Sequence, residues 1–361
     1  PNAHQGPICC RSGGSLSGDW ALTWSGAATD LLLGQCRGAA GALGIRTSGC
    51  NLQFAMHPET GELLIIEVNP RVSRSSALAS KATGVPIAKI SSLLAVGYNL
   101  DEILLEMTGE PVTAAPIVID YVAAKIPRWN FEQFPGATDE LTAAMRSVGE
   151  VMSLGRSFLE ALQKGFRSLE TPVKALLGDP RNPALNALLD REILERKLRV
   201  PNSERLYYLT QAMRQGWSVD EIYEITSITP WFLKKIEMLV KTEEELKKFD
   251  FSPLATAGAL DSLEAHDLEK LADDLRRFKN FGFSDAQLAF YAGLSEDQVR
   301  AARLTLDVRP AYKAVDACAG RVPARSPYYY STYQSQVEEA RPGRRDRVVI
   351  IGNGPNRIGQ G

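Results

Sequence analysis

The chain has 361 residues, 44% of them hydrophobic and 23% charged, with a net charge of −2. That length calls for two or three domains, and the balanced charge leaves no electrostatic footprint for nucleic acid. No apolar run approaches the ~20 residues needed to cross a bilayer, no start resembles a signal peptide, and five cysteines without a C-x-x-C pair read as a reduced cytoplasmic protein with no disulfide framework. The three histidines, His4, His57 and His266, are too scattered for a zinc site.

Residues 1–50 differ from the rest. They hold no Lys and no Glu, ten of the 29 Gly, and Cys9, Cys10, Cys36 and Cys50. No sustained helix or strand period is visible in them. They read as a wrong-frame or truncated segment, with the true frame resuming near Ile45.

The next stretch carries the chemistry. Asn51–His57 and Leu63–Asn69 read as two strands joined by a turn at His57-Pro-Glu-Thr-Gly-Glu62. Side chains alternate faces along a strand, so Glu67 and Asn69 point the same way. Pairing of the two strands can bring Gln53 to the same place. A carboxylate beside amide oxygens suits a hard divalent cation. Arg71 and Arg74, just past the strand end, suit a planar oxyanion. Taken alone, an Asn-Pro-Arg at a strand end reads as a solvated edge.

The complete run Glu67-Val-Asn-Pro-Arg71-Val-Ser-Arg74-Ser-Ser-Ala-Leu-Ala-Ser-Lys-Ala-Thr-Gly84 resembles the first ATP-grasp site of the carbamoyl-phosphate synthetase large chain. The resemblance continues through Ile119–Val122, Lys125–Arg128, Ser147–Met152 and the C-terminus, covering roughly residues 45 to 361. It implies that Gln53, Glu67 and Asn69 bind Mg2+ or Mn2+ bridging the phosphates of ATP. It implies that Arg71 and Arg74 hold bicarbonate and the carboxyphosphate made from it. It places Glu150, Arg357 and Gly361 along a tunnel carrying carbamate onward. It also implies a separate glutaminase small subunit as ammonia source. If residues 1–50 are foreign, the nucleotide site lacks its base-binding part and its phosphate-covering loop.

Ser75–Thr83 and Pro86–Val96 are predicted helices, with Gly84 ending the first and Ser73, Ser75 or Ser76 capping it. The first helix would aim amide groups at the anion site. Ile117–Pro127 and Glu150–Leu154 read as strands, and Phe158–Leu169 as a helix. Glu150 reads equally as a solvated strand-end acid. From about 171 to 310 helical periodicity dominates. Phe232, Ile236, Leu239 and Val240 share one face, Leu260–Phe278 repeats the pattern, and Phe283–Arg303 looks like helix–turn–helix. Its second helix carries too few basic residues around Glu296 and Asp297 for DNA. The resemblance assigns this stretch to oligomerisation.

Tyr312–Asp316 and Tyr328–Tyr333 match the family's linker between halves. Val348–Ile351 followed by Gly352–Gly361 reads as a strand and glycine loop opening an α/β unit, poorly packed here or lying against the first half as a borrowed edge, because it has no neighbouring strands or following helix. The expected fold class is therefore an α+β ATP-grasp C-terminal part, an all-α helical domain, and the first strand of an α/β domain. The expected domains are 1–50, 51–170, 171–310 and 311–361. The expected function is the metal and bicarbonate side of an ATP-dependent ligase that takes bicarbonate and ammonia, in a homo-oligomer, with neither nucleic acid nor membrane as partner. The alternative is a catalytically dead helical oligomerisation module.

Overall fold

The computed structural model describes residues 26–45, 48–57, 60–112, 119–131, 134–142, 146–171, 175–178, 187–256, 258–316, 326–341, 343, 348–352 and 356–357. The chain divides into two compact units: Pro1–Asp120 with Lys313–Tyr330, and Tyr121–Tyr312 with Ser331–Gly361.

The first unit opens with helix α1, Gly26–Ala42. A helix thus lies in the segment where no sustained helix or strand period is visible in the sequence. The run is rich in Ala and Leu, which favour helix without any amphipathic stripe, and its interior glycines mask the period. Its Cys36 is buried with Leu52 and Phe54. Strands β1 (Asn51–Met56) and β2 (Leu63–Asn69) pair antiparallel. His57 N–H donates to Glu62 O at 2.9 Å, closing the turn. Gln53 opposes Glu67 while Phe54 opposes Ile65, so Ile66 is an extra residue and the ladder bulges there.

Helices α2 (Arg74–Thr83) and α3 (Ile87–Ala95) come next. Ser76 Oγ accepts the Ser73 N–H at 3.2 Å, which ties down one otherwise orphaned amide at the start of α2. Gly84 ends α2 at φ +76° and its N–H donates to Ser80 O at 2.8 Å. Beyond the corner, Val85, Ile90, Ile103, Leu105 and Met107 form a small core. A Cβ on Gly84 would lie 3.1 Å from Val315 O and 3.3 Å from Met107 Sδ. Gly84→Ala is therefore expected to cost about 1–2 kcal/mol from the left-handed backbone alone, with crowding added. The check is the thermal midpoint; an unchanged value would contradict the strain.

In the second unit β3 (Val122–Arg128) and β4 (Gly149–Gly155) pair antiparallel, and α4 (Phe158–Ser168) packs on them. The first of these strands starts later than the expected Ile117–Pro127, whose first two residues lie outside the described residues. Gly165 permits the close approach of α4, because a Cβ there would sit 2.5 Å from Ile126 Cδ1. The helical part runs through α5 (Arg191–Arg199), α6 (Arg205–Arg214), α7 (Val219–Thr226), α8 (Pro230–Lys248), α9 (Ala265–Asn280), α10 (Asp285–Ala292) and α11 (Glu296–Thr305). Phe232, Ile236, Leu239 and Val240 of α8 are all buried, and with Leu209, Leu233, Leu275 and Phe278 they belong to the core.

The helix–turn–helix reading of Phe283–Arg303 corresponds to α10 and α11. Ser284 and Ser295 cap them through boxes with Gln287 and Gln298, and Gly293 turns the chain between them in left-handed conformation. The expected single helix Leu260–Phe278 is instead a 3-10 turn, Leu260–Ser262, followed by α9. Leu263 and Glu264 are extended between the two, with ψ near 150°, which no helix continues through.

After the helices, β5 (Ala311–Ala314) and β6 (Tyr329–Thr332) pair as a two-stranded ribbon. The aromatic-rich linker is thus partly regular. Val348–Ile351 is not a strand, which corrects that expectation and with it the last part of the expected fold class. These four residues are 84–91% exposed. An apolar strand with both faces open has nothing to offset the cost of ordering it. The chain instead forms β7, Asn356–Arg357, which adds to the edge of β4.

Candidate functional site

The β1–β2 hairpin sorts its residues by face. Leu52 and Phe54 are buried on one side, with Val68 packed against them. The other face carries Asn51, Gln53, Glu67 and Asn69, because Asn51 opposes Asn69 and Gln53 opposes Glu67 in the ladder. Directly opposed residues hold their Cβ atoms about 4.5–5.5 Å apart. Asn69 Nδ2 donates to Glu67 Oε1 at 2.7 Å. The amide nitrogen is engaged there, so Oδ1 is the atom of the Asn69 side chain able to ligate a cation. Asn51, buried on the same face, was missed from sequence; its place two residues before Gln53 on one strand was the available signal.

Past the strand, Arg71 N–H donates to Asn69 O at 2.8 Å, turning the chain through Pro70. The Arg71 side chain is exposed, and its Nη1 donates to Val72 O at 3.5 Å. Arg74 opens α2, whose N-terminus therefore begins five residues after Asn69. The side chain of Arg74 lies outside the described residues.

The second unit holds the other candidates. Glu150 Oε2 lies 2.8 Å from Lys125 Nζ, and both side chains are largely buried, so Glu150 is paired rather than solvated. Glu150 opposes Asn356, and Gly149 opposes Arg357. The Arg357 side chain and Gly361 lie outside the described residues. Gln53, Glu67, Asn69 and Arg71 belong to the first unit and Glu150 and Arg357 to the second.

The donor set can be tested against a metal. Among the described residues no three His, Cys, Asp or Glu side chains gather into a metal cluster. A closed all-protein cage is therefore not what the hairpin offers. One carboxylate with carboxamide oxygens on one face fits an ion such as Mg2+, which takes few protein ligands and completes its shell with phosphate oxygens and water.

Comparison with known proteins agrees with this division of the chain. Residues 11–103 match the family described as carbamoyl-phosphate synthase L chain, ATP binding domain. Residues 150–307 match the carbamoyl-phosphate synthetase large chain, oligomerisation domain. The class is thus a chain that joins part of an ATP-binding domain to an oligomerisation domain. The carbamoyl phosphate synthase large chain of Rhodopirellula baltica is 46% identical over 320 residues, 88% of this chain and 28% of that protein. Those of Synechocystis and Archaeoglobus fulgidus are 47% and 48% identical over the same shares. The chain belongs to the carbamoyl-phosphate synthetase large-chain family and spans about 28% of the length of these relatives.

The oligomerisation match begins at residue 150 and the second compact unit at Tyr121. The ATP-binding match begins at residue 11, inside the segment set apart as foreign. No helix among the described residues is long and apolar enough to cross a membrane.

Proposed function

We propose that this chain contributes the metal and bicarbonate side of the first ATP site in an enzyme that makes carbamoyl phosphate from bicarbonate, ATP and glutamine-derived ammonia. The observation that carries the reading is the hairpin face, where Glu67 and Asn69 touch and Gln53 stands opposite. Gln53, Glu67 and Asn69 would hold the ion, Mg2+ or Mn2+. When bound, that ion neutralises the phosphate oxygens of ATP. Arg71 and Arg74 orient the bicarbonate oxygens toward the γ-phosphoryl group and stabilise the charge of carboxyphosphate. The amides at the start of α2 add positive potential at the same place. Ammonia from a glutaminase small subunit displaces phosphate to give carbamate. Glu150, Arg357 and Gly361 line its route to a second ATP site elsewhere in the full-length enzyme.

The test is Arg71→Ala in the chain extended to the length of its relatives. Loss of a hydrogen bond to a charged group costs about 1.5–3 kcal/mol, so KM for bicarbonate is expected to rise about 10- to 150-fold with KM for ATP little changed. An unchanged bicarbonate KM would remove Arg71 from the site. The oligomerisation-domain match over residues 150–307 favours a second reading, a helical association module without catalysis. An extended chain that sediments as an oligomer yet shows no bicarbonate-dependent ATP turnover would establish that second reading.

A further inference from the structure

Lys125 and Glu150 stand on neighbouring strands of the second unit. Met152 opposes Lys125 and Pro127 opposes Glu150, so the two charged side chains are diagonal neighbours on one face of the sheet. Diagonal positions lie about 7–8 Å apart, within reach of a long side chain. Lys125 Nζ lies 2.8 Å from Glu150 Oε2, with 26% and 13% of the two side chains exposed.

The opposite face of the same strands is already filled. Ile126, Val151 and Ser153 alternate onto it and are buried, and Ser153 Oγ donates to Ala161 O of α4 at 2.6 Å. The helix is itself held. Lys164 Nζ donates to Ser331 O and, at 2.9 Å, to Leu154 O, and Thr332 Oγ1 donates to Glu160 Oε2 at 2.9 Å. Lys125 and Glu150 therefore lie on the face that α4 does not cover, where Glu150, Met152 and Leu154 are half-buried.

Packing alone is a poor reason for such a pair, because a desolvated ion pair is often no better than apolar residues of similar volume. The chemistry of the route offers a stronger one. Carbamate is an anion, and a bare carboxylate repels it strongly where water is scarce. An ammonium at 2.8 Å offsets that charge and fixes the carboxylate through a charge-assisted contact.

We infer that Lys125 is a positioning residue. It holds Glu150 and offsets its charge, so that an anionic intermediate can pass the carboxylate. The inference rests on the place given above to Glu150 along the carbamate route. It concerns passage between the two ATP-using steps and not the chemistry of either one.

The experiment uses the chain extended to the length of its relatives, carrying Lys125→Met. Overall synthesis of carbamoyl phosphate is expected to fall at least about tenfold, since one partner of a largely desolvated charge pair is gone. Bicarbonate-dependent ATP hydrolysis should stay within about twofold, so more ATP is hydrolysed per carbamoyl phosphate. Lys125→Arg keeps the charge and should stay within about twofold of the unsubstituted enzyme. Adding Glu150→Gln to Lys125→Met removes the stranded charge, and synthesis should return to within about twofold of Glu150→Gln alone. Ordinary synthesis in Lys125→Met, a Lys125→Arg variant as impaired as Lys125→Met, or losses that simply multiply in the double variant would each overturn the proposal. If Lys125→Met loses its fold by circular dichroism, the double variant strands no charge and carries the same comparison with Glu150→Gln. Glu150→Phe puts a bulky ring on the route. Ordinary synthesis in that variant would remove Glu150 from the route, and this proposal would fall with that reading. Blocked synthesis in Glu150→Phe beside ordinary synthesis in Lys125→Met strikes this proposal alone.

Discussion

Glu67→Gln in the extended chain is expected to lower bicarbonate-dependent ATP turnover about 100- to 1000-fold while the fold stays intact. Glu67 is the carboxylate beside the three carboxamides Asn51, Gln53 and Asn69 on its hairpin face, with Asn69 Nδ2 at 2.7 Å. Replacing it with an amide keeps the shape and removes the negative charge that would hold a divalent ion. Losing one group that stabilises charge in the transition state costs about 2.7–4 kcal/mol by analogy with oxyanion donors. Asn69→Asp should fall in the same range for the opposite reason. It places a second carboxylate against the first, and the two repel where they now share a hydrogen bond. Asn69 is half-buried at the end of β2, outside the hydrophobic core, so the thermal midpoint should move little. Two variants with ordinary turnover would detach the hairpin from the chemistry.

Asp285→Ala is expected to be the most destabilising single change in the helical unit. Asp285 is buried between Lys279 and Arg303. Its removal leaves two buried cations without their counter-charge, which costs about 3–5 kcal/mol. For a unit of this size that lowers the midpoint by roughly 6 to 20 °C. The pH dependence has a definite sign. Burial alone would raise the Asp285 carboxyl, but the Arg303 hydrogen bonds and the Lys279 charge outweigh it and hold it below the ordinary carboxylate range. Its contribution is therefore complete above the unfolded value and is lost as pH falls through the lower folded one. Burial pushes the Lys279 ammonium down to about 8 in spite of Asp285. Between that value and its ordinary one the unfolded chain holds more protons, so this group makes stability rise with pH there. Urea unfolding of the two chains across the acid range would decide; parallel profiles would exclude Asp285 from the acid limb.

The hairpin that carries the candidate residues was largely legible because its logic is local. The pairing of Gln53 with Glu67 comes from two strands and one turn, Asn51 to Asn69, and Glu67 and Asn69 share a face by simple alternation. The end of α2 at Gly84 and the buried face of α8 were legible for the same reason. What was hidden is long-range. Asp285 looks like an ordinary helix-start acid, and nothing near it announces Arg303 eighteen positions on. Glu243 lies in the charged run Glu243-Glu-Glu-Leu-Lys-Lys248, yet it is buried, salt-bridged to Arg214 and bonded to Tyr291 forty-eight residues away. The β5–β6 ribbon escaped notice because its strands are four residues each, too short for a period to show. Val348–Ile351 failed in the other direction. Its pattern is that of a buried strand, but a pattern cannot supply the neighbours that would bury it.

The ties made by α4 bear on the order in which this protein is built. Glu160 and Lys164 find their partners at Thr332 and Ser331, 172 and 167 positions downstream. Ribosomes add about 5–20 residues per second, so roughly 10 to 30 s separate the emergence of the helix from that of the strand it needs. During that interval Glu160 and Lys164 have each other as an ion pair but lack their downstream partners, and burying them with those bonds unmade is costly. The helical bundle between them consists of local contacts and can close first. The sheet, α4 and the ribbon then lock last, as a clasp over a finished core, and the last-made part of the unit is the one that seals the first.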